Sequence, residues 1–424
     1  MHVFSVPSRP LASWSVLLLG LFVLAGCDAF TNQSSPQAPS FEVTNDLDRR
    51  ITSLDDSSTT AVRTSAAKDF SVRSLARVST PTVNGTPTTA SYLSFNGNGG
   101  DRVFVGYKIR GEGFGGGIDV LNAANPRNLN AINSLQSNNL DVQEVVDDPD
   151  DGAEYVAGAL ATNPGDVSPA VVAKLSFSGN SGNNITVSHR RLSANVAKSV
   201  VNAPASDSEH DLYVVTDGNS LYRFDTNLQN QSRQTVSGVE FSSLTALPSQ
   251  IALLTKTGGL WTAGVSPASD PAEASISLDG SDIDPLGIAR METSRHESSS
   301  APFVFAALNE GGFRVLNESM DTVLFSRTGG HYTSVSATPE SDYLYASRKD
   351  GTVEVYAFDA SGGPSWSADP IATINTAEYG EVTGDTQANQ VLAVGDYLYV
   401  ANSRSGLLVL EVNGGGRGGG PPGR

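Results

Sequence analysis

Five short apolar runs in this chain share one register. Leu212-Tyr-Val-Val-Thr, Ile251-Ala-Leu-Leu-Thr, Val304-Phe-Ala-Ala-Leu, Leu344-Tyr-Ala-Ser-Arg and Leu398-Tyr-Val-Ala-Asn are each followed, nine residues after their first position, by an apolar residue that opens a second run: Leu221, Leu260, Phe313, Val353 and Leu407. Such a recurrence constrains the fold more than composition does, because each copy is one small unit that can bury its hydrophobic sides only against its neighbours. Glycine stands at the turn of every hairpin. Gly259, Gly312 and Gly406 immediately precede the opener, where a tight turn needs positive φ, and Gly351 and Gly218 stand two and three residues before it.

Two further units carry longer turns: Val103-Phe-Val-Gly-Tyr leads to Gly117 and Ile118, and Tyr155-Val-Ala-Gly leads to Val171-Val-Ala. Seven units over 289 residues, Ile118 to Leu407, give an interval of about 48, close to the roughly 40 to 50 residues of propeller repeats. A strand of small residues precedes each hairpin, as in Leu140-Asp-Val-Gln-Glu-Val, Lys198-Ser-Val-Val, Leu244-Thr-Ala-Leu, Leu286-Gly-Ile-Ala, Thr333-Ser-Val-Ser and Val391-Leu-Ala-Val. Small side chains suit the crowded centre of a ring. The expected fold is therefore all-β: a seven-bladed β-propeller of four-stranded antiparallel blades. The last unit ends with its third strand, Leu407 to Val412, and then dissolves into glycine. Phe70 to Val78 alternates apolar and polar residues and is predicted to close the ring by pairing with that final blade.

The flanks read differently. Val16 to Ala25 is an apolar run too short to span a bilayer, preceded by Arg9, and it leads into Leu24-Ala-Gly-Cys27. That sequence resembles the bacterial lipobox, which implies removal of residues 1–26 as a lipoprotein signal peptide and a diacylglycerol on Cys27. The only cysteine of the chain stands at the one place this chemistry needs it. Several buried acyl chains give durable attachment, at about 0.8 kcal/mol per methylene. Residues 27–68 are rich in Ser, Thr, Asn, Gln, Asp and Pro and are expected as a flexible tether. Residues 69–413 form the propeller, and 414–424 a Gly/Pro-rich disordered tail. The expected location is the bacterial cell envelope, on the outer face of the inner membrane or on the outer membrane.

Gly406-Leu-Leu-Val-Leu-Glu411 and Gly117-Ile-Asp-Val-Leu-Asn-Ala-Ala-Asn-Pro126 resemble the LVIVD repeat of bacterial surface and secreted proteins, with its glycine, aliphatic run, acidic residue and Asp-Pro. Val394-Gly-Asp-Tyr-Leu-Tyr-Val-Ala-Asn402 is similar to the companion strand. Asn122, Asp225, Asn317 and Glu411 occupy the acidic position, and Gly264 and Ala357 depart from it. The resemblance implies a β-propeller scaffold and no catalytic residues.

Chemistry is sparse. Acidic residues outnumber basic ones 45 to 27, a net charge of −18, which excludes a nucleic-acid footprint. A single cysteine excludes a disulfide scaffold or a multi-thiolate metal centre. Six lysines against 29 aspartates is the balance expected of a surface facing high salt, with high genomic G+C content as the competing cause. The histidines, His2, His189, His210, His296 and His331, have no second histidine at ligand spacing. No nucleophile elbow or phosphate loop is present, and the acidic run Asp147 to Gly152 breaks calcium-loop spacing at Pro149 and Gly158. No cofactor or metal is expected. With only Trp261 and Trp366 in the mature chain, a quinone-type propeller enzyme is not expected either.

The turns between second and third strands and the links between blades emerge on one face of a propeller, around the channel mouth. Long turns in the adjacent first and second blades, Tyr107 to Gly117 and Gly158 to Ala170, would build a wall there, and Lys108, Arg110, Glu112 and Phe114 are the candidate ligand-binding residues. The reading from sequence is a monomeric, lipid-anchored, non-catalytic binding scaffold with a protein or glycan partner. The alternative is an extracytoplasmic hydrolase or lyase whose acids and histidines converge at the channel mouth.

Overall fold

The computed structural model describes residues 38–54, 61–63, 70–96, 101–111, 113–147, 153–161, 168–178, 184–204, 210–229, 231–265, 270–278, 290–294, 302–337, 342–359, 365–379 and 386–413. By compactness the chain divides into residues 1–38, of which only Ala38 is described, and residues 39–424, which hold the propeller. Cys27, Glu112, Leu286 to Ala289, Asp148 to Gly152, the signal segment 1–26 and the tail 414–424 lie outside the described residues.

Seven antiparallel sheets form the ring. In blade I the strands run from the centre outward as Thr86–Asn96, Arg102–Ile109, Gly116–Asn122 and Asn130–Ser137. Blade II has Leu140–Asp147, Ala153–Leu160, Ala170–Ser178 and Asn184–Arg191, and blade III has Ala197–Pro204, His210–Thr216, Ser220–Phe224 and Ser232–Thr235. Blade IV comprises Phe241–Ala246, Gln250–Thr255, Gly259–Gly264 and Ala272–Ser277. Blade V comprises Arg290–Ser294, Phe303–Ala307, Phe313–Leu316 and Val323–Arg327. Blade VI follows with Tyr332–Ala337, Tyr343–Arg348, Thr352–Asp359 and Ala372–Asn375. Blade VII takes Gln390–Val394, Tyr397–Ala401 and Leu407–Asn413 from the end of the chain and its fourth strand, Ser71–Val78, from the beginning.

The blades form because strand side chains alternate between two faces, and here both faces are apolar. In blade III, Leu212 and Val214 face blade II while Tyr213 and Val215 face blade IV. The same alternation around the ring gives seven hydrophobic clusters among the described residues, one between each pair of neighbouring blades. Each fully buried aliphatic or aromatic side chain in such a cluster is worth roughly 1.5–3 kcal/mol over its exposed state. Among the described residues there is no central core: the hydrophobic interior is divided into seven wedges, and the channel is left to polar groups.

The turns correct part of the glycine reading. Gly312 and Gly406 have φ of +85°, and Gly351 has +83°, as a left-handed turn position requires. In blade IV, however, Gly258 takes the positive φ, at +82°, and in blade III Asn219 takes it, at +57°. The left-handed residue therefore stands two positions before the opener in blades III, IV and VI and one before it in blades V and VII. The latter two share a longer turn that also places Asn309 and Ser403 at positive φ.

Ring closure follows the expected pairing. Ser71–Val78 runs antiparallel to Leu407–Asn413, with Leu407 opposite Val78 and Asn413 opposite Ser71. Within the segment expected as a tether, 27–68, the described residues pair with the ring. Glu42–Thr44 adds a fifth strand to blade I, Leu47–Arg50 forms one helical turn, Ile51–Ser53 adds a strand to blade VII, and Ala61–Arg63 adds one to blade VI. This strap passes the outer edges of blades I, VII and VI in turn and covers edges that would otherwise offer unpaired backbone groups. The few apolar residues of this polar stretch explain why it docks: Leu47 is 2 % exposed, and Phe41, Val43, Ile51 and Leu54 pack against the clusters below. Arg50 fastens it. Its guanidinium donates to both carboxylate oxygens of Asp119 in blade I, at 2.8 and 2.7 Å, and to the backbone oxygen of Ser79 at 2.8 Å.

Candidate functional site

The inner strands line the channel, and five of them carry a β-bulge at the same height. The register slips between Ala90 and Tyr92, Val142 and Glu144, Ala197 and Ser199, Phe241 and Ser243, and Tyr332 and Ser334. A bulge re-aims the side chains on either side of it. The residue just after the bulge bonds to the next blade: Glu144 Oε2 accepts Val200 N at 3.3 Å, Ser199 Oγ accepts Leu244 N at 3.3 Å, Ser243 Oγ accepts Met291 N at 3.1 Å, and Ser334 Oγ accepts Val391 N at 3.3 Å. In blade VII, Gln390 fills the equivalent position and accepts Leu93 N of blade I at 2.8 Å. The belt thus binds blade to blade through side-chain acceptors.

Blade V breaks the pattern. Its belt residue is Arg290, which has no acceptor. Instead the guanidinium reaches across the channel, donating to Gln390 Oε1 of blade VII and to the backbone oxygen of Ser91 in blade I at 2.6 Å, and lying 5.2 Å from the centre of the Tyr92 ring. Two residues on, Glu292 accepts Ser334 Oγ and Gln390 Nε2, both at 3.1 Å. The channel is therefore plugged by Arg290, Glu144, Glu292, Tyr92 and Gln390. A cavity of about 20 Å³ among the described residues is lined by these groups with Gln143, Lys198 and Ser242, and gives room for one or two waters rather than a substrate.

Burial sets the electrostatics. It pushes the Glu144 and Glu292 carboxyls up to about 7, with Arg290 opposing the rise in both. Asp141, at the head of blade II, is pushed up to about 6 by burial, opposed by its hydrogen bond from Gly115 N at 3.0 Å and by Lys108. Lys108 is lowered to about 8 by burial and then by the Arg290 charge.

Of the residues singled out in the sequence, Lys108 is half-buried with its ammonium on Gln143 Oε1 at 2.9 Å. Arg110 is exposed and reaches Gln387 Oε1, ahead of blade VII, at 3.1 Å. Phe114 is half-buried in the turn. Lys108 thus belongs to the channel, and Arg110 to its rim. Sequence reasoning missed Glu144, Arg290 and Glu292. Glu144 was visible as a charge inside a small-residue inner strand, a costly place for one, whereas Arg290 and Glu292 were hidden because the inner strand of blade V was placed at Leu286 to Ala289 rather than at Arg290–Ser294.

The convergence of histidines with acids required by a hydrolase is not seen among the described side chains. His189 lies on the outer strand of blade II, and His331 lies 3.7 Å from Glu310 in the turn region of blades V and VI. Among the described residues no group of three His, Cys, Asp or Glu side chains is placed to hold a metal ion.

No family model matches this chain, and no curated protein matches its sequence. Solved structures match its shape. Raptor of Chaetomium thermophilum aligns at a TM-score of 0.50 and 12 % identity, over 80 % of this chain and 29 % of that one, so this chain spans less than a third of that protein. A chain of the Mitotic Checkpoint Complex aligns at 0.53 and 13 % identity, over 85 % of this chain and 97 % of that one. At such identities the likeness is one of fold.

Proposed function

We propose that this chain is a lipid-anchored, extracytoplasmic β-propeller that acts as a non-catalytic binding scaffold of the bacterial cell envelope, held to its membrane through Cys27. The observation that carries the reading is the plugged channel. Arg290, Glu144, Glu292 and Gln390 are engaged with one another and with neighbouring blades, and the space left among them is too small for a substrate. Recognition then falls to the rim, where Arg110 and Phe114 stand above Lys108, and a protein or glycan partner meets a rigid surface. The LVIVD-like turns support a scaffold role, and one fold neighbour comes from a complex of proteins.

A second reading, a hydrolase or lyase, is favoured by Glu144 and Glu292, which line one cavity and are both raised to about 7. Capture from an envelope extract separates the two. Under the scaffold reading the protein retains a partner, Lys108→Ala with Arg110→Ala weakens retention without lowering the melting midpoint, and Cys27→Ala moves the protein from the detergent phase to the aqueous phase. Equal retention by the double variant discards the rim. Turnover of envelope polysaccharide lost in Glu144→Gln establishes the enzyme instead.

A further inference from the structure

The channel mouth gathers two ammonium groups and an amide with no carboxylate hydrogen-bonded to them among the described residues. Lysine is scarce in this chain, six residues in all, yet Lys108, Lys198 and Lys256 all stand on the mouth side of blades I, III and IV. Lys256 is paired with Glu240. Lys108 has one hydrogen bond, to the neutral amide of Gln143, and Lys198 sits at the bulge of blade III with no hydrogen bond or ion pair among the described residues. The Lys108 contact also fixes the Gln143 amide: with its oxygen committed to an ammonium, its NH₂ is left as a donor at the mouth, beside Lys198, with which it shares a cavity wall.

We propose that this mouth is an oxyanion-binding site, in which Lys108 and Lys198 hold one phosphate- or carboxylate-type group with the Gln143 amide as third donor. Ammonium and amide donors with no spent acceptor are the complement of such a group, and the Arg290 guanidinium below adds to the positive field. The nearby carboxylates hold other donors: Asp141 attracts Lys108 but gives its hydrogen bond to Gly115 N, and Glu144 and Glu292 hold the belt. Burial and neighbouring cations lower both lysines. Around Lys108 these are Arg290, Lys198 and Arg110, opposed by Asp141. Around Lys198 it is Lys256, opposed by Asp217 and Glu240. An anion relieves that repulsion.

The proposal deepens the recognition reading of the same mouth and rests on it for its role in the cell. Its test is a titration of the full-length protein in detergent with inorganic phosphate at constant ionic strength, chloride replacing phosphate in the control. The expected result is a saturable rise of the melting midpoint in phosphate only, roughly ten-fold weaker in Lys108→Met and in Lys198→Met, absent in the double variant, and weaker at pH 9.5 than at pH 7. Protection of Lys108 and Lys198 from amine acetylation by phosphate, read by peptide mass spectrometry, needs no variant. No phosphate-specific rise, a rise that survives in the double variant, or unprotected lysines would overturn the site. Repeating partner capture in phosphate separates the two claims: phosphate binding without competition removes the recognition reading alone, and capture that needs Lys108 without phosphate binding removes the anion site alone.

Discussion

At Gly312 and Gly406 a single hydrogen atom in place of a side chain decides whether two strands can meet. Both residues have φ of +85°, and a Cβ built there would overlap the carbonyl oxygen of a residue in the blade's fourth strand, Arg327 in blade V and Val78 in blade VII. Gly85 has a similar φ, +76°, but nothing within 4 Å of such a Cβ. We expect Gly85→Ala to cost about 1 kcal/mol, from backbone strain alone, and Gly406→Ala to cost at least about 3 kcal/mol, since strand pairing is displaced as well. Urea unfolding of the two variants checks this, and equal losses would show that strain rather than contact governs. This contrast was half legible. The glycines marked the turns, but whether a neighbour crowds them depends on a strand far off in sequence, and the choice of Gly258 over Gly259 depends on local turn geometry that composition does not encode.

The elements that hold the ring shut come from the two ends of the chain. Phe70 to Val78 was legible as the missing strand because alternation and a deficit of one strand pointed to the same place. The strap was not, because Glu42–Thr44, Ile51–Ser53 and Ala61–Arg63 are three residues each, too short to show alternation, and take their order from edges supplied by other blades. Its firmest joint is the Arg50–Asp119 pair, whose side chains are 10 % and 1 % exposed. Replacing one partner of a buried pair strands the other charge, at about 3–5 kcal/mol. Arg50→Met should therefore lower stability by that order, and a second change, Asp119→Asn, should restore part of it. A double-mutant cycle reads the coupling directly. Simple additivity of the two losses would mean that the strap is held by its backbone pairing instead.

For the whole molecule, the plugged channel predicts an unusual pH response. Asp141, Glu144 and Glu292 are raised by burial to about 6, 7 and 7 from ordinary carboxyl values. The folded state therefore binds more protons than the unfolded one between about pH 4 and 7, and the stability these groups contribute is complete below the unfolded values and lost as pH rises through 7. Denaturant midpoints should fall from pH 5 to pH 8 by the equivalent of a few kcal/mol at most, since the channel retains some water, and Glu144→Gln should flatten the slope. A midpoint that rises over this interval would refute the electrostatic account. Lys108 acts later: lowered to about 8 by burial, it returns stability between about pH 8 and its unfolded value. The architecture itself was readable because a propeller repeats one local unit. The channel was not, because its charged residues, Glu144, Arg290 and Glu292, each occur once and gain meaning only when seven strands are brought round a common axis.

The two ends of the described chain leave the ring on opposite sides. Ser40 bonds Asn139 in the link between blades I and II, on the mouth side, whereas Asn413 lies opposite Ser71 at the far end of blade VII. Tension applied between them is thus carried through the thickness of the disc. The strap, held by three short edge pairings, yields first and peels away, one rung after another. Leu407–Asn413, flanked by strands on both sides, resists in shear, so the disc is built to stay whole while its leash pays out.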